Sequence, residues 1–229
     1  MLAVLALLLG VALAGVPEDV DFAAEADNPL DLRQAAFARL HDETAVPTLL
    51  RIAKDTQTTP PRRWVAIRAL GLNTAPEARD ALLGFLASDN APTRIAALAA
   101  LGERKDRTTA GRVAARLEDK ALLVQQAAAD ALGLIGDPAT LPDLERALAS
   151  PTGTYRGTSL WVRRHYVEAM AAIGTGESVR PLAAALDDAD PTVVDAAVKG
   201  LEKVGGFSYA QGRTRAEELE AWRRWSRTR

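Results

Sequence analysis

Ala128-Ala129-Asp130-Ala131-Leu132-Gly133-Leu134-Ile135-Gly136-Asp137-Pro138-Ala139 is the stretch that decides how this chain folds. It reads as an apolar helix that stops at glycine and turns at Asp-Pro. With Leu132 as anchor, the same pattern recurs at Phe37, Leu70, Leu101, Met170 and Leu201. The steps between successive anchors, from Phe37 onward, are 33, 31, 31, 38 and 31 residues. A repeat in this range marks helical units that stack, because one unit alone cannot hide its apolar stripe.

Each copy has the same internal grammar. The residue before the anchor is always small: Ala36, Ala69, Ala100, Ala131, Ala169 and Gly200. Such a series lets neighbouring first helices, the A helices, approach closely. Twelve residues after the anchor stand Leu49, Leu82, Val113, Leu144 and Leu182, and four further on Ala53, Leu86, Leu117, Leu148 and Leu186. Spacing of four puts both slots on one face of a second helix, B. Proline and short polar residues open several A helices, as in Asn90-Ala91-Pro92-Thr93 and Asp190-Pro191-Thr192. Four residues after the anchor the later copies carry Gly136, Gly174 and Gly205, which suit a left-handed helix end. The earlier copies carry His41, Thr74 and Lys105 there, so their turns close by other means. The expected fold is all-α, an α-solenoid of about six helical hairpins.

At 229 residues, with 48% hydrophobic and 25% charged residues, the composition is that of a folded soluble domain. Aromatics are 5%, so alanine and leucine do most of the packing, which argues against a β-sandwich. Cysteine is absent, which removes disulfides and thiolate metal sites. The net charge of −2 gives no general attraction to nucleic acid or acidic lipid. Charge is uneven, however. Glu18, Asp19, Asp21, Glu25, Asp27 and Asp31 precede the first base, Arg33, whereas Arg213, Arg215, Arg223, Arg224, Arg227 and Arg229 crowd the carboxyl end. A solvated acidic leader with an ordinary amphipathic last helix explains this, and so does a contact between opposite ends.

The run Leu2 to Val16 is uncharged and apolar, and Ala12-Leu13-Ala14 before Gly15 has the small–x–small form of a signal-peptidase site. No base precedes it, unlike an ordinary signal. The expected organisation is a signal peptide over 1–14 cleaved after Ala14, an acidic leader over 15–27, the repeats over 28–206 and a capping helix over 207–229. Val20 to Ala26 reads as either a short helix or a linker. The location implied is periplasmic or secreted, with no membrane span left after cleavage.

The quoted segment resembles the core of a HEAT repeat, closest to the short bacterial variety called phycobilisome-lyase HEAT-like repeats. Ala169-Met170-Ala171-Ala172-Ile173-Gly174 and Ala69-Leu70-Gly71 are weaker copies. The arginine that such repeats carry early in helix A falls, by this resemblance, on Arg63, Arg94 or Arg163, with Gln125 and Val194 in the same slot elsewhere. The resemblance implies a scaffold that hosts many unrelated roles.

Function is expected where the repeat breaks. The longest step contains Pro151 to Leu160, rich in Gly, Thr and Ser and expected as a loop. Tyr155, Arg156, Trp161 and Arg164 lie beside it and are the candidate partner-binding residues, being of the types enriched at binding hot spots. The plainer reading is that Trp161, His165 and Tyr166 cover the core under a longer loop. Two histidines without ligand spacing, and no phosphate loop or nucleophile motif, give no catalytic, cofactor or metal residues. The expected role is a non-enzymatic, monomeric scaffold that binds a protein partner in the cell envelope, in the B-helix groove and at the loop near Tyr155. The alternatives are a chromophore-lyase-like enzyme, which only the resemblance suggests, and a nucleic-acid binder. The latter would need a basic track that Gly84, Ala115 and Ala184 interrupt between Arg51 and Arg146.

Overall fold

The computed structural model describes residues 15–229; the expected signal peptide lies outside the described residues. The chain divides into two units, one ending at Arg104 and the other beginning at Lys105. The first unit holds α1 (Val16–Ala24), α2 (Leu30–Arg39), α3 (Val46–Lys54), α4 (Pro60–Leu70), α5 (Pro76–Phe85) and α6 (Ala91–Arg104). The second holds α7 (Ala110–Ala114), α8 (Leu122–Ile135), α9 (Leu141–Ala149), α10 (Val162–Ile173), α11 (Val179–Ala184), α12 (Pro191–Gly205) and α13 (Arg215–Ser226). In both units A and B helices alternate as a repeat solenoid, with short 3₁₀ turns between. Among the described residues no helix is long and apolar enough to cross a membrane.

The slots read from the sequence are the core. Leu70, Leu101, Leu132, Met170 and Leu201 are fully buried, as are Leu49, Leu82, Val113, Leu144 and Leu182. Phe37, in the first copy, is only half-buried. The small series closes A helix against A helix. A Cβ added to Gly71 on α4's end would stand 2.8 Å from the Cα, Cβ and O of Ala100 on α6. A Cβ on Gly133 would meet the Ala172 Cβ at 3.0 Å and the Ala169 Cα at 3.3 Å. A Cβ on Gly200 would meet the Ala171 Cβ at 2.8 Å and Leu182 Cδ2 at 2.9 Å. In each pair the residue after one anchor faces the residue before the next, and one of the two is glycine.

The turns solve their hydrogen bonding in several ways. Gly136 and Gly174 take the left-handed conformation at φ +68° and +64°. In the last copy the left-handed residue is Gly206 (φ +76°) and Gly205 remains helical, one residue later than expected. The helix simply runs one residue longer before its end is capped by the Gly206 N–H donating to the Glu202 carbonyl at 2.8 Å. In the second copy the buried Asn73 amide donates to the Ala69 carbonyl at 3.0 Å and to Leu40 at 3.2 Å, which ties two copies together. In the third, Lys105 itself adopts φ +53°. Between A and B, the Asp42, Asp106 and Asp137 carboxylates accept from the N–H two residues on, at 2.8, 2.9 and 3.1 Å.

The family-type arginine slot has a mechanical role. Arg63 donates to the Asp55 carbonyl at 2.7 Å, Arg94 to Ser88 at 2.7 Å and Gln125 to Asp119 at 2.6 Å. These carbonyls lie at or just beyond the end of the preceding B helix or its 3₁₀ extension, where helical bonding supplies no partner. Each A helix thus clamps the turn that delivers it; Val194, in the same slot, makes no such bond.

The acidic leader is folded, with a helix over Val16–Ala24. Val20 and Ala23 are buried on one side of α1, which packs on α2 and α4. Asp19 is buried and pairs with Arg39, while Asp21 pairs with Arg62 at 2.6 Å. Two of the carboxylates that look like a polar tail, Asp19 and Asp21, thus hold the first helix onto the repeats.

Gly71→Val forces α4 away from α6 and should destabilise the first unit by about 2 kcal/mol, the ordinary cost of overpacking; a thermal melt monitored by circular dichroism measures it. Lys105→Gly removes a left-handed side-chain penalty and should raise the melting midpoint, by about 1 kcal/mol in stability.

Candidate functional site

Within the 38-residue step, the segment from Pro151 to Leu160 folds as a tight β-hairpin, not as the expected loop. A 3₁₀ turn over Pro151–Gly153 leads into β1 (Thr154–Tyr155), which pairs antiparallel with β2 (Thr158–Ser159). Arg156 and Gly157 lie at the tip with φ of +51° and +78°. A two-residue turn of this hand matches the twist of the paired strands. Only Gly157 is glycine, so the tip holds one side chain, Arg156, in a conformation that ordinarily disfavours it.

The foot of the hairpin is fixed from below. Leu160 N–H donates to the Gly153 carbonyl at 2.9 Å. Gly153 lies against the aliphatic stem of Arg163, so a Cβ there would come within 2.8 Å of Arg163 Cγ. The Arg163 guanidinium forks onto Asp188, with Nη1 donating to Oδ1 at 3.0 Å, and also donates to Ser159 Oγ at 3.2 Å. Both Arg163 and Asp188 are largely buried. Arg163 occupies the clamp slot of its copy and here holds an inserted hairpin as well as the turn. Beside Asp188, hydrogen bonds from Ser159 and then Thr192 hold the Asp190 carboxyl below the usual carboxylate range. That stabilisation is present above the free-carboxylate value of about 3.9 and fades as pH falls through the lowered value.

The four candidate residues divide into two groups. Tyr155 and Arg156 stand together at the hairpin tip. Tyr155 is 62% exposed and the Arg156 guanidinium lies 5.2 Å from its ring centroid, a cation–π distance. Trp161 is the N-cap residue of α10 and Arg164 lies on α10 itself. The Trp161 indole N–H donates to Gln126 Oε1 on α8 at 3.0 Å, which commits its polar edge to joining two A helices. Arg164 pairs with Glu168 at 3.2 Å and lines a groove of about 400 Å³ with Glu168, Thr192, Asp195 and Lys199. Beneath them, Tyr166 is buried and donates to Gln125 Oε1 at 2.7 Å, and burial pushes its phenol up to about 12. His165 is mostly covered, with Nδ1 3.0 Å from Asp130 Oδ1. Tyr166 is therefore core, and His165 is a bridge between α8 and α10.

On the B-helix side, a groove of about 510 Å³ runs up to the hairpin's foot. Ala114, Leu117 and Ala147 give it apolar walls, Pro151 and Thr152 close one end, and Glu118, Asp143 and Arg146 supply charge. Arg146 Nη1 lies 2.9 Å from Asp143 Oδ1 and 4.0 Å from Glu118 Oε1, and its side chain is mostly exposed. The groove thus has apolar walls and a charged rim, and its Pro151–Thr152 end leads into the hairpin that carries the Tyr155–Arg156 pair. Among the described residues no group of three or more His, Asp or Glu is placed to hold a metal. The sequence pointed to the B-helix groove and to Tyr155. It carried no signal for Asp188, whose pairing with Arg163 bridges 25 positions.

Residues 85–161 match the family model of HEAT repeats. No curated protein matches the sequence of this chain. Among solved structures, Kap121p is 14% identical and aligns over 92% of this chain and 26% of its own, with a TM-score of 0.54. An engineered protein is 16% identical over 92% of this chain and 61% of its own, with a TM-score of 0.50. The complex of CpcE and CpcF of phycocyanin lyase from Nostoc sp. is 23% identical over 82% of this chain and 77% of its own, with a TM-score of 0.49. At such identities the likeness is one of fold. The HEAT-repeat resemblance read from the sequence therefore stands.

Arg163→Met leaves Asp188 without its fork and unpins the hairpin, at a cost of about 2 kcal/mol locally. Hydrogen exchange should show faster exchange of the Leu160 amide, with the α8 amides unchanged.

Proposed function

We propose that this HEAT-repeat chain is a non-catalytic scaffold of the cell envelope that holds a protein partner. The binding surface is the B-helix groove together with the hairpin tip. One observation carries the reading. The copy with the longest step uses its extra residues to raise Tyr155 and Arg156 on a pinned hairpin whose foot borders a half-apolar groove. A repeat needs no such hairpin to stack, since the other copies close their cores without one.

The physical case is one of preorganisation. Tyrosine offers a large amphipathic contact at little entropic cost, and Arg156 is already stacked on it. The hairpin is held by the Arg163–Asp188 fork, so a partner meets a surface that needs little further ordering. The groove's rim carries both signs of charge in Glu118, Asp143 and Arg146, which suits a polar protein segment better than the uniform backbone of a nucleic acid. Trp161 and Arg164 are secondary in this reading, because each already has a partner within the chain. The envelope location rests on the apolar run before Gly15 with its small–x–small end.

Affinity capture with the purified chain from the envelope fraction of its source, compared with Tyr155→Ala/Arg156→Ala, tests this. The double variant should recover at least about tenfold less of the captured partner, as loss of a two-residue hot spot implies. Equal recovery by the two proteins would remove the hairpin from the site.

A further inference from the structure

The two ends of the chain carry opposite charges that their own folds leave unused. In the first unit, Asp19 and Asp21 are taken up by Arg39 and Arg62. Glu18, Glu25, Asp27 and Asp31 remain exposed on and between α1 and α2, with no ion pair to any of them among the described residues. Leu30, between Asp27 and Asp31, is 65% exposed, the most open large apolar side chain among the described residues. On α13, Arg215 and Arg223 are taken up by Asp195, Glu218 and Asp187. Arg224 and Arg227, three apart and so on one side of the helix end, stay exposed without a carboxylate. Arg213 and Arg229 lie over the Tyr209 and Trp225 rings at 5.4 and 5.1 Å and add to the positive charge of this end. Phe207, stacked on the buried Trp222 with ring centroids 5.2 Å apart, is 39% exposed at the same end.

From this complementarity we propose that the α1–α2 surface of one copy docks on the α13 surface of a second copy. Glu25, Asp27 and Asp31 would face Arg224 and Arg227, with Leu30 as the apolar centre. The contact joins two different surfaces, so it is heterologous and leaves one acidic and one basic end free. Association through it therefore grows with concentration, into closed rings or open chains of copies according to the rotation between neighbours. Exposed charges on both sides make it salt-sensitive, since screening sets in within about 10 Å at ordinary ionic strength. A dilute sample at high salt behaves as the single chain expected from the sequence.

Sedimentation velocity of the full chain over a concentration series, at about 20 mM and about 500 mM salt, tests the proposal. The average mass should climb with concentration at low salt and return to that of one chain at high salt. Arg224→Glu/Arg227→Glu should remain a single chain at low salt, and so should Glu25→Lys/Asp27→Lys. An equimolar mixture of the two should associate again, because the opposite signs are restored across copies. Arg224→Gln/Arg227→Gln replaces the reversed variant if circular dichroism shows that the latter does not fold. A wild-type chain that stays single at low salt overturns the proposal. So does association that survives high salt or charge reversal, which would belong to another surface. Tyr155→Ala/Arg156→Ala should associate like the wild type, so this result stands or falls apart from the hairpin's role.

Discussion

Everything in this fold depends on how closely two A helices can lie. The residue after one anchor meets the residue before the next, and at Gly71/Ala100, Gly133/Ala169 and Ala171/Gly200 one member has no Cβ. Helices that approach this closely bring their leucine anchors into full burial behind the seam, where each large aliphatic side chain contributes about 2 kcal/mol of apolar transfer. Alanine and glycine are weak contributors by themselves. Their value is steric, since they set the separation at which the larger side chains of adjacent copies interlock at the density of a protein interior.

That separation governs the turns as well. An A helix delivered at the wrong angle would open the seam, and Arg63, Arg94 and Gln125 hold the delivering turns by their carbonyls. Arg163 shows how such a clamp accommodates novelty. Its copy received seven extra residues, and the same guanidinium that belongs to the clamp slot forks onto Asp188 and grips Ser159, while the aliphatic stem packs on Gly153. An insertion that would otherwise flap becomes a rigid projection. A pinned projection can display Tyr155 and Arg156 at a fixed place beside the groove, which is what recognition needs.

Much of this was legible in the chain of letters. The period, the small residue before each anchor and the two B-helix slots all follow from spacing, because helical geometry fixes which residues share a face. Less legible was anything that turned on a single partner. The segment 15–27, rich in carboxylates, looks like a tail, yet Val20 and Ala23 find a surface on the repeats and Asp19 finds Arg39. Pro151 to Leu160 has the composition of a loop, yet two positive φ angles and a two-residue ladder make it a hairpin. Trp161 is of a type common at interfaces, but Gln126 claims its indole N–H.

The sequence by itself determined the repeat, its period, the faces that are buried and the place where the pattern is interrupted. These are properties of short-range geometry, repeated copy after copy. Only the tertiary structure decided what the interruption becomes, which carboxylates are consumed and which are left to solvent, and that α12 turns at Gly206 instead of Gly205. Those outcomes depend on a few side chains far apart in the chain, and pairing energies of that kind leave no periodic trace in the sequence.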